Sequence, residues 1–242
     1  MSDRKDNMPD NAEAQIAASG APLFDASTRA EMERRLRECE QRFQTLPPST
    51  DLLERAHLEL EIAELMLNLQ RNSAAWEYAR GAFTTFIKRE QWQAATEACD
   101  ILYRSEQPAS IVALAHGVWL AVTYPVNIEL TIGMLSNIVD ETPDHSDGAA
   151  VAAVTAHYVA DMRAVDEKQH ESVSFLSSNL IARVARRHSK VESQEELDAW
   201  LDRLELRDPA VFLPRLSKIL DIMAEDNWWI DRDELRAKLP VN

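Results

Sequence analysis

Three sets of side chains in this 242-residue chain have types and spacings that could do chemistry. The first is His116 with His157 and Asp161. Both histidines sit in the least polar stretches of the sequence. Asp161 follows His157 by one helical turn, where a carboxylate can touch an imidazole. Such a buried pair would be a proton acceptor or half of a metal site. The plainer expectation is a core histidine satisfied by a neighbour. The second set is Glu-x-x-His, found as Glu54 to His57 and Glu167 to His170. Di-iron bundles use two such pairs plus two single glutamates, all pointing inward. Glu61 and Glu64 extend the first pair along one face, but that face opposes Leu53, Leu60 and Leu67 and should meet water. The second pair opens a helix, where glutamate is favoured by the dipole. Neither a metal centre nor a cofactor is expected. The third set is His145 among Asp140, Glu141, Asp144 and Asp147. This loop lacks the EF-hand ligand order and reads as a solvated turn.

Two further features could bind a partner. Arg183, Arg186 and Arg187, with His188 and Lys190, form the only basic cluster. Cations at a helix C-terminus are stabilising in themselves, and a docking patch is the other reading. The tandem Trp228-Trp229 either folds back onto the body or anchors a partner, since Trp is enriched at interaction hot spots. Cys39 and Cys99 have no metal-ligand spacing and read as buried thiols. There is no Gly-rich phosphate cradle and no GxSxG. A triad assembled from distant residues would leave no local signature.

Those residues need elements to hold them, and the composition says which. The chain is 45% hydrophobic with only 5 glycines, and Leu, Ala, Glu and Arg dominate. That mixture suits helices and leaves little for sheets or phosphate loops. The formal charge of −15 argues against nucleic acid or an anionic membrane as partner. The first residues, MSDRKDNMPDNAEA, have no apolar core and do not read as a secretory signal. The longest apolar run, from Ile111 to Val126, is shorter than the roughly 20 residues a membrane span needs. A cytoplasmic protein is therefore expected.

Residues 1–24 show no period and read as a disordered arm. About ten amphipathic helices follow, from periodicity and breakers. Asn127 and Asp147 are expected as N-caps, a helix is expected from about Asp166 to His188, and Ser193 with Glu196 has capping-box spacing. Pro214 is expected in the first turn of its helix. Residues 110–126 and 147–164 are apolar almost all round and should lie inside. We read 25–190 as a core domain and 191–242 as a helical extension packed on it. The fold class expected is all-α, in antiparallel hairpins around two buried central helices. Hairpins begin near Leu52, Trp92, Asn127 and Asp166, a period of roughly 36 to 40 residues.

The segment AWEYARGAF resembles the opening of a tetratricopeptide repeat. Trp76, Ala79, Arg80 and Phe83 stand where that family places Trp, Leu, Gly and Tyr. Arg80 replaces the glycine, and Ala95 fills the second-helix alanine only if about three residues are inserted. The resemblance covers about 35 residues. It implies a stack of helix pairs whose inner groove binds another protein, and it assigns no groove residues here.

The expected function is a non-catalytic interaction scaffold, assembly factor or regulator acting on a protein partner. The alternative is an all-α metal-binding or hydrolytic enzyme using the buried His and carboxylate groups. A third reading has two copies pair as a homodimer through 110–164.

Overall fold

Runs of good helix formers broken by Pro and polar turns leave the chain one economical way to satisfy its backbone. The computed structural model describes residues 26–239 and is all-α, with eleven helices and no strand among those residues. They are α1 (Ala26–Thr45), α2 (Leu52–Asn68), α3 (Asn72–Lys88), α4 (Trp92–Arg104), α5 (Ser110–Thr123) and α6 (Ile128–Glu141). Then come α7 (Asp147–Arg163), α8 (Glu167–Ser189), α9 (Gln194–Arg203), α10 (Pro209–Ala224) and α11 (Arg232–Ala237). Consecutive helices up to α9 pack on one another, and α10 returns to lie against α5 and α7. Residues 1–24, read as a disordered arm, lie outside the described residues.

Helix α5 is the interior of the array. Every residue from Val112 to Ala121 is buried, because α4, α6 and α10 all pack against it. Gly117 makes that crowding possible. A Cβ there would stand 2.2 Å from Cε of Met134 and 2.8 Å from Cβ of Cys99. Helix α7 buries every residue from Ala149 to Ala156, and its alanines and valines let α6, α8 and α10 come close.

The caps are mostly where side-chain chemistry puts them. Asn127 accepts from the Leu130 N–H at 2.9 Å, and Asp166 accepts from the Gln169 N–H at 2.8 Å. Ser193 and Glu196 make both bonds of a capping box. Two expectations are corrected. Ser146 rather than Asp147 caps α7, because its hydroxyl accepts from the Gly148 N–H at 3.2 Å and leaves Asp147 inside the first turn. Pro209 takes the first turn of α10, capped by Asp208, so Pro214 sits inside the helix. It is exposed there, where the missing N–H leaves its carbonyl partner open to water.

The helix ends are unusual in one respect. Gln70, Glu90, Glu106, Lys190, Glu205, Glu225 and Asp226 all have positive φ, and none is glycine. Three of these ends close the same way. After α2, α3 and α9 the N–H beyond the left-handed residue reaches back five positions: Arg71 to Met66, Gln91 to Phe86, Leu206 to Leu201. This is the Schellman closure, which satisfies carbonyls the helix leaves open.

Arginines reach three helix ends from a distance, two of them not among those Schellman ends. Arg163 donates to the Ala121 and Val122 carbonyls at 2.7 and 2.8 Å, at the end of α5. Arg187 donates to the Val139 carbonyl at 2.9 Å, at the end of α6. Arg215 does the same for Leu204 after α9. Each brings a positive charge to the negative end of a helix dipole.

Candidate functional site

His116 is fully buried on α5, and both ring nitrogens are occupied. Nδ1 donates to the Val112 carbonyl at 2.8 Å. Nε2 accepts from the backbone N–H of Trp229 at 2.8 Å. The ring is therefore neutral, with its proton on Nδ1. Burial pushes its pKa down to about 4. Trp229 stacks on the imidazole, centroids 4.5 Å apart, and Trp228 leans on it at 4.7 Å. Phe83 and Trp76 meet Trp229 edge-on. The Arg80 guanidinium lies over Trp229 at 4.1 Å, and Arg232 lies over Trp228 at 3.8 Å. Both tryptophans thus fold back onto the body. Farther along, the Tyr124 hydroxyl donates to the Leu235 carbonyl at 3.0 Å. His116 clamps the C-terminal segment onto α5.

His157 does not pair with Asp161, and this is a correction. His157 Nδ1 meets the Ser177 hydroxyl on α8 at 2.9 Å. Asp161 turns instead to His170 Nε2, 3.0 Å away across the α7–α8 hairpin. Ser177 also donates to the Val173 carbonyl at 2.8 Å, so Nδ1 of His157 is on the donor side of that contact. His116 and His157 face different neighbours and share no site.

The two Glu-x-x-His pairs stay apart as well. Glu54, His57, Glu167 and His170 are all exposed. Glu54 lies 3.6 Å from Arg42, His57 leans on Phe86, and His170 takes Asp161. Among the described residues no three His, Cys, Asp or Glu side chains are grouped to hold a metal ion.

In the basic cluster Arg187 and His188 are half-buried, while Arg183, Arg186 and Lys190 are exposed. Arg183 pairs with Asp140 at 3.2 Å and donates to Ser136. Arg187 caps α6 and lies 3.5 Å from Asp144. His145 Nδ1 donates to the His188 carbonyl at 3.1 Å, so the acidic loop is tied to the end of α8.

Sequence inspection missed a relay at that junction. Asp147 meets His188 Nε2 at 3.1 Å, and the Ser189 hydroxyl meets Nδ1 at 2.7 Å. The types are those of a hydrolytic triad. Each of the three also makes or adjoins a contact between helices. The indole N–H of Trp200 donates to the same Nδ1 at 3.2 Å, and Arg215 holds the other oxygen of Asp147 at 3.3 Å. The imidazole ties α7, α8 and α9 together.

His157 and Asp161 also line an open cleft of about 420 Å³ with Tyr158, Leu201 and Arg207. A separate groove was not found by sequence reading. It lies where α5 begins, α6 ends and α10 passes. Its apolar half, about 390 Å³, is floored by Ile111, Ile138, Ile219, Ile222 and Met223. Ile222 is 75% exposed and Ile111 37%. A polar half of about 470 Å³ continues past Tyr103, Glu106 and Gln107. Ile111 and Glu141 line both halves. The only trace in the sequence is the second apolar stripe of α10, at 219, 222 and 223, beside the stripe at 212, 216, 220 and 224 that it buries.

Comparison with family models, curated proteins and solved structures returns no match. No helix among the described residues is long and apolar enough to cross a membrane.

Proposed function

We propose that this chain is a non-catalytic interaction protein, a scaffold or assembly factor, that receives a protein partner in the groove between α5, α6 and α10. The observation that carries this reading is the pair of exposed isoleucines, Ile111 and Ile222, flanking an open apolar trough. Leaving such groups in water forfeits the free energy their burial would contribute, and clustered ones mark contact surfaces. The histidines fit the same reading, since His116, His157 and His188 each serve as struts between helices. The short antiparallel connections and the tetratricopeptide-like segment at 75–83 support a repeat-like partner-binding array.

The test is a pair of charge substitutions at exposed apolar positions. Ile222→Glu in the groove abolishes formation of a stoichiometric complex with the partner. Phe175→Glu, similarly exposed but on α8, leaves it intact. Loss of binding in neither variant, or in both alike, contradicts the groove assignment.

A further inference from the structure

Resting on the groove as a docking surface, we infer that its occupant is an amphipathic helical segment of a protein partner. That segment carries an apolar stripe for the isoleucines and Lys or Arg at the end that meets Glu106 and Glu141.

The apolar half sets the first requirement. Helix α10 commits Phe212, Leu216, Leu220 and Ala224 to the core and turns Ile219, Ile222 and Met223 to the groove. Offsets of three and four residues form a ridge that fits the groove of another helix. The surrounding walls are helices too, so a partner finds no strand edge to extend and is held by side chains. Gly148 keeps the floor low, because a Cβ there would already touch Ile219 Cδ1 at 3.5 Å.

The polar half sets the second. Glu106 projects from a left-handed turn, and Glu141 accepts from the Tyr103 hydroxyl at 2.7 Å. Tyr103 loses its proton less readily than a free tyrosine. Its burial is the main reason, and the carboxylates of Glu141, Asp140 and Asp100 add to it. Arg104 is the cation that lines this half, and its guanidinium is engaged by Asp100 at 3.0 Å. The end of the groove is thus negative, on a chain of formal charge −15. A cationic end on the partner complements it, and an acidic one is repelled.

Two designed amphipathic peptides test this on the full chain. They share one leucine stripe with helical spacing and differ only in carrying Lys or Glu on the polar face. Binding is read by anisotropy of a labelled peptide. The Lys peptide binds, and Ile222→Glu weakens it about tenfold or more. Non-specific attraction to an acidic protein would strengthen with that added carboxylate, so the loss marks docking in the groove. Glu106→Gln with Glu141→Gln weakens it several-fold. Equal binding of the Lys and Glu peptides overturns the cationic end and leaves the groove reading standing. Binding untouched by Ile222→Glu overturns both. A dimer of the chain, seen by sedimentation and abolished by Ile222→Glu, puts a second copy in the groove and overturns the proposal. Ile222 is exposed, and unchanged thermal midpoints of the variants establish that the fold is kept.

Discussion

Nε2 of His116 and the backbone N–H of Trp229 are 113 residues apart in sequence and 2.8 Å apart in space. Replacing His116 with Phe keeps a ring for the tryptophans to stack on and removes the acceptor. The orphaned N–H costs about 1–3 kcal/mol. Urea unfolding should show that loss, with a red shift in tryptophan emission as the C-terminal segment loosens. An unchanged midpoint and spectrum would contradict the clamp.

Burial of the His116 ring makes stability depend on pH in a definite direction. Folded His116 titrates near 4 because burial disfavours the imidazolium, against 6.5 when free. The unfolded chain therefore takes up the proton first. Stability falls as pH drops below about 6.5, and the loss from this group, about 3 kcal/mol, is complete near pH 4. The advantage of the wild type over His116→Phe should shrink across that window. A difference constant from pH 7 to pH 4 would contradict this.

Gly117 is required by close approach. Met134 can swing its methyl aside, but Cβ of Cys99 at 2.8 Å moves only with the backbone of α4. Gly117→Ala should cost about 1–3 kcal/mol, although alanine is the better helix former. A raised thermal midpoint would show that α4 and α5 are not in contact there.

Left-handed backbone at Glu205 carries a penalty that glycine escapes. Its φ is 55°, and its side chain is exposed. Glu205→Gly should raise stability by about 0.5–1 kcal/mol, and Glu205→Val should lower it. The urea midpoints of the two variants must move in opposite directions.

Arg163 closes the end of α5 with two nitrogens, one on Ala121 and one on Val122. Arg163→Met keeps the stem and removes both donors, at a cost of about 1–3 kcal/mol. Arg163→Lys should recover only part, since one ammonium does not reproduce the planar fork. Full recovery by Lys would show that charge alone matters.

These residues also show what the sequence makes legible and what it hides. An all-α array was readable because periodicity and breakers are local, and α5 announced its burial by lacking a polar face. The caps at Asn127 and Ser193 followed from chemistry within four residues. His157 and Asp161 have the spacing to pair, but spacing does not set rotamers. Ser177 and His170, both on the next helix, took the two partners instead. The Asp147–His188 contact and the clamp on Trp229 join residues 41 and 113 positions apart, beyond any local pattern. The groove was hidden for a different reason. The stripe at 219, 222 and 223 looks like core until the helix that would cover it proves absent from the described residues.

The most direct test of the central claim is photocrosslinking from inside the groove. A benzophenone amino acid replaces Ile222 in one version of the full chain and Phe175 in another, and both are irradiated in the cells that make the protein. The account requires one discrete protein adduct from position 222, lost when Ile111→Glu is added, and none of that mass from position 175. No adduct from 222, or the same adduct from both positions, would contradict it.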